Sequence, residues 1–61
     1  MKLQDFLTAT GVKPAEFAQD VGVTVQAIHR YLNGERIPER GVMSRIQVRT
    51  DNKVTADSFY Q

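Results

Sequence analysis

The chain has 61 residues, no cysteine, a single histidine and a formal net charge of +1. That length carries one domain, expected to span residues 1–61, and a domain this small buries only about 60% of the surface its unfolded chain exposes. The lack of cysteine excludes disulfides and thiolate ligands, and one histidine without them argues against a structural zinc, so no metal and no cofactor is expected. No apolar run approaches the roughly 20 residues of a membrane span. The opening MKLQDFL has one lysine and then an aspartate, unlike a secretory leader, and a cytoplasmic protein is the expectation. A pI of about 8.2 is weak support for a nucleic-acid partner, because a basic DNA-binding domain often exceeds a pI of about 9. Distribution says more than the total. Arg30, Arg36, Arg40, Arg45 and Arg49 all lie in the second half, although a merely solvated surface accounts for them equally simply.

In chain order, Leu3, Phe6 and Leu7 fall at helical spacing and predict a first amphipathic helix over Lys2 to Thr10. Gly11 then stands where a left-handed residue ends a helix. Pro14 opens a second helix, to about Val21, since its missing N–H would have no partner there. This helix presents Phe17, Ala18 and Val21 inward, and Glu16 suits its positive end. Gly22 follows at once, Thr24 is a good N-cap, and a third helix runs from about Val25 to Leu32 before Asn33-Gly34 ends it. Two helices joined by a turn of about three or four residues containing glycine have helix-turn-helix spacing. Pro38 turns Ile37 out of the helical region. Beyond it, Val42, Met43 and Ile46 fit a helix face, but Ile46 and Val48 also alternate, and Asp51-Asn52 fits a hairpin turn into Val54. Periodicity leaves a fourth helix and a β-ribbon both open. Thr55-Ala-Asp-Ser predicts an N-cap and a last short helix that returns Phe59 and Tyr60 to the core.

The crossing of the second and third helices needs a small residue on the first, a glycine in the turn, and branched or aromatic residues on the second. Ala18, Gly22, and Ile28 with Tyr31 stand at those offsets, with Val23 under the turn. Four requirements met together are a fairly specific signal. At FAQDVGVTVQAIHRYLNGERIP, Phe17 to Pro38, the sequence resembles the phage repressor and Cro helix-turn-helix family. LQDFLTATG resembles that family's first helix, and RIQVRTDNKVTADSFY the tail of its all-helical prophage members. The resemblance implies an all-α, lambda repressor-like fold of about five short helices around a central helix-turn-helix. It also resolves the ambiguous segment in favour of a helix over about Pro38–Arg49. Two positions depart from the pattern. Pro14 stands where many relatives carry a polar residue that touches phosphate, and Val25 where many carry a polar base reader.

By the same resemblance, base contacts belong to the outward, N-terminal part of the third helix: Thr24, Val25, Gln26, His29 and Arg30. The chemistry fits. Glutamine pairs bidentately with adenine and arginine with guanine, while valine suits a thymine methyl. Lys13, Asn33, Arg36 and Arg40 flank these residues and are expected on the DNA backbone. The plain alternatives are an exposed histidine without a role, a helix-ending asparagine and solvated cations. The expected partner is a double-stranded DNA operator in a bacterial host cell, bound by a homodimer at least on DNA. Met43, Val48, Phe59 or Tyr60 are expected to supply the subunit contact. No membrane and no small-molecule substrate is expected. With no carboxylate pair, no cysteine nucleophile and no base beside His29, no catalytic residue is expected. A DNA-binding antitoxin and a protein-interaction module on the same fold are the alternatives.

Overall fold

The computed structural model describes residues 1–60. Four α-helices follow one another: α1 (Leu3–Thr10), α2 (Pro14–Val21), α3 (Val25–Leu32) and α4 (Arg40–Arg49), and a single 3-10 turn over Ala56–Phe59 closes the chain. No strand occurs among the described residues. The ribbon alternative for the fourth segment therefore falls. Val42, Met43 and Ile46 lie on one face of α4 and are all buried, a burial that only the helical period gives them. Its start is two residues later than expected, because Glu39 is extended (φ −70°, ψ 168°) and serves as the N-cap. The last element also differs. It is 3-10, and the Thr55 side chain makes no capping hydrogen bond.

The turns explain why the helices stop where they do. At the end of α2, Gly22 has φ 73°. Its N–H donates to the Gln19 carbonyl at 3.3 Å and the Val23 N–H to the Ala18 carbonyl at 3.0 Å. That double closure satisfies carbonyls the helix would otherwise leave free, and it needs a left-handed residue at its hinge. Gly34 repeats it after α3, donating to Tyr31, while the Glu35 N–H reaches Arg30 at 2.9 Å. After α4 the same closure uses Asp51 (φ 55°), followed by Asn52 (φ 63°); short polar side chains tolerate this region better than others.

The core joins Leu3, Phe6 and Leu7 of α1, Phe17, Ala18 and Val21 of α2, Ile28 and Tyr31 of α3, Val42 and Ile46 of α4, and Val54. Phe6 and Phe17 meet edge to face at 6.1 Å, and Tyr31 meets Phe59 at 6.4 Å. Phe59 thus returns to the core as expected, whereas Tyr60 stays 68% exposed. Helix α2 packs against both α3 and α4. Two arginines of α4 reach its C-terminal end: the Arg45 Nε donates to the Val21 carbonyl at 2.7 Å, and the Arg49 Nε to the Asp20 carboxylate at 2.8 Å. The Arg49 guanidinium also lies 6.0 Å from the Phe17 ring centre. One polar side chain is in the core. Thr50 is buried, its hydroxyl donating to the Ile46 carbonyl at 2.8 Å and accepting from the Val54 N–H at 3.1 Å. This hydroxyl ties the descending tail to the end of α4. No helix is long and apolar enough to cross a membrane among the described residues.

Candidate nucleic-acid interface

Helix α3 is divided along its length by the helical period. Ile28 and Tyr31 are buried, and Val25, Ala27 and Leu32 are partly buried against the same core. Gln26, His29, Arg30 and Asn33 are all exposed. At about 100° per residue these four fall within an arc of about 100°, centred opposite the buried pair. The exposed face is therefore a continuous row of hydrogen-bonding side chains on a helix whose back is held by the core. A helix of this diameter fits the major groove, where base edges differ in their donors and acceptors.

The start of α3 is fixed locally. Thr24 is extended and its Oγ1 accepts from the Ala27 N–H at 3.1 Å. The hydroxyl keeps a hydrogen to donate, so the cap does not remove Thr24 from contact with a ligand. The neighbouring N–H groups of the first turn have no intrahelical acceptor and point away from the helix, toward whatever lies at its N-terminus. Val25 behaves differently from its exposed neighbours. Being half buried, it offers only an apolar edge, suited to a methyl group and not to a hydrogen bond.

Lys13, Arg36 and Arg40 are exposed, Arg36 beside a groove it shares with Leu3, Tyr31 and Phe59. Among the described residues the one ion pair is Arg49–Asp20, so Arg30 and these three cations are unpaired. Lys13 precedes α2, Arg36 follows α3, and Arg40 opens α4, which places a cation at three helix ends. The Asn33 amide donates to the Glu35 carboxylate at a long 3.4 Å, a contact that a phosphate oxygen could replace.

Not every sequence expectation is placed here. Of the five later arginines, Arg45 and Arg49 point onto α2 instead. Sequence spacing could not separate them from the others, because their partners are distant in sequence. The expected subunit contact also changes. Met43 is buried and Phe59 packs on Tyr31, leaving only Val48 and Tyr60 of that set exposed. No group of three or more histidine, cysteine, aspartate or glutamate side chains converges among the described residues.

A helix-turn-helix family model matches residues 3–49, which takes in all four α-helices. No curated protein and no solved structure gives a significant match. Together with an outward polar row on α3, the family match makes the residue pattern more than a local coincidence: the chain belongs to the Cro/repressor-type helix-turn-helix family, and its function is of the DNA-binding transcription-regulator kind.

Proposed function

We propose that the protein is a sequence-specific regulator that lays α3 in the major groove of a palindromic operator, acting in the bacterial cytoplasm. The observation that carries this reading is the undivided polar face of α3, Gln26, His29, Arg30 and Asn33, opposite a face locked into the core. Thr24, Val25, Gln26, His29 and Arg30 are the base-reading residues. Gln26 pairs with adenine and Arg30 with guanine, each bidentate pair discriminating by about 1–3 kcal/mol. Lys13, Asn33, Arg36 and Arg40 grip phosphates, which sets register without reading sequence. The domain measures 23 × 21 × 19 Å, less than the roughly 34–36 Å between half-sites one helical turn apart. One copy therefore covers one half-site, and a homodimer on DNA completes the site.

Selection of binding sites from random duplex DNA tests the reading. An inverted repeat is expected, and Gln26→Ala should relax the preference at one symmetry-related pair of positions while leaving the rest. Recovery of no motif would refute sequence-specific reading, and an unchanged motif for Gln26→Ala would remove Gln26 from it.

A further inference from the structure

We propose that Arg45 is a positioning residue for DNA recognition, acting by fixing the turn from which α3 starts. The inference rests on α3 being the reading helix. Among the described residues, just two side-chain hydrogen bonds join different helices, Arg45 to Val21 and Arg49 to Asp20. Both run from α4 to the last residues of α2, immediately before the turn. The two bonds are not equivalent. Arg49 pairs with a carboxylate at the surface, each side chain more than a third exposed, where screening leaves little net attraction. Arg45 donates to a main-chain carbonyl in the last turn of α2, a group with no partner within the helix at the end where the helix dipole favours a cation.

The same guanidinium lies over the turn itself. A Cβ on Gly22 would sit 3.7 Å from the Arg45 Nε, and one on Gly41 would sit 3.8 Å from its terminal nitrogen. On the inner side the turn is closed by the Val23 N–H to the Ala18 carbonyl at 3.0 Å. It is therefore held from within by its own backbone and from outside by Arg45. Thr24, the cap that orients the first turn of α3, follows directly. A shift at Val21–Gly22 consequently changes the direction of α3, and with it the aim of Gln26 and Arg30.

The test compares Arg45→Met, which removes the donor but keeps the stem, with Arg45→Lys, which restores a charged donor. Amide hydrogen exchange on the free protein comes first. Arg45→Met is expected to lower protection at Val23 about tenfold beyond any change at Phe17 and Ile46, and Arg45→Lys to recover most of it. A uniform loss at all three amides would reduce Arg45 to a contributor to overall stability and overturn the proposal, as would no change at Val23. Binding to a random-sequence duplex across a salt series comes second. The slope of log affinity on log salt is expected to stay unchanged, because Arg45 neutralises no phosphate; a fall of about 0.9 would make it a backbone contact instead. The third measurement is the ratio of affinities for the selected operator and the random duplex, expected to fall about tenfold in Arg45→Met. An unchanged ratio would overturn the proposal. Failure to select any operator would refute the reading helix itself, while the exchange result still decides whether Arg45 holds the turn.

Discussion

Thr50 offers the sharpest stability test, because its hydroxyl serves two backbone groups at once in a site that is 1% exposed. Thr50→Val keeps the shape and deletes the hydroxyl. The Ile46 carbonyl is not orphaned, since it still accepts the Thr50 N–H at 3.0 Å. The Val54 N–H is orphaned, having lost its 3.1 Å acceptor. A buried donor without a partner costs about 1–3 kcal/mol, and the added methyl group returns about 0.8 kcal/mol of burial. The net expectation is destabilisation by about 0.2–2 kcal/mol. For a domain of this size that lowers the melting temperature by up to roughly 15 °C. Thermal unfolding followed by far-ultraviolet circular dichroism measures it, with Thr50→Ser as the control that keeps the hydroxyl and loses only a methyl group. If the valine variant melts at or above the wild-type temperature, then the hydroxyl does not hold the tail and the reasoning fails.

Three other expectations are smaller. Asp51→Gly should stabilise the fold by about 0.5 kcal/mol, since it relieves a left-handed aspartate while adding freedom to the unfolded chain; a lower urea midpoint would contradict this. Arg49→Ala should cost less than about 1 kcal/mol, as an exposed ion pair and a cation over a ring are each weak, and a larger loss in urea unfolding would show a stronger tie. Arg36→Ala should weaken binding to operator and random duplex alike and reduce the salt slope by about 0.9. A loss confined to the operator would make Arg36 a base reader.

How much of the interface was legible in the sequence varies from residue to residue. Helical periodicity separates Gln26, His29 and Arg30 from Ile28 and Tyr31, and the structure exposes all three; the reading role proposed for them and for Thr24 rests on the family resemblance. Val25 was harder. Its position suggests the reading face, but its side chain is shared with the core. The arginines of α4 were not legible at all. Arg40 has no ion-pair partner among the described residues and Arg45 is bound to Val21, yet both sit on one helix in a similar sequence setting. Their fates depend on partners about two dozen residues away, which no local pattern encodes.

The same division holds for the fold. The ends of the first three helices follow from Gly11, Pro14, Gly22, Thr24 and Gly34, because capping and positive-φ turns act over a few residues of chain. The core faces of α1, α2 and α3 follow from the spacing of Leu3, Phe6, Leu7, Phe17, Val21, Ile28 and Tyr31. Periodicity left the segment after Pro38 ambiguous, since Ile46 and Val48 satisfy a strand period as well as Val42 and Ile46 satisfy a helical one, and only the family resemblance favoured a helix. Packing decided it. Burying Val42, Met43 and Ile46 together requires a helix, and Val48 is left 81% exposed as a result. Local sequence thus determined the helix-turn-helix unit and the polar face of α3 by itself. Only tertiary structure decided what braces that unit, because the Arg45 hydrogen bond to Val21 joins residues far apart in sequence and exists only once the chain has closed on itself.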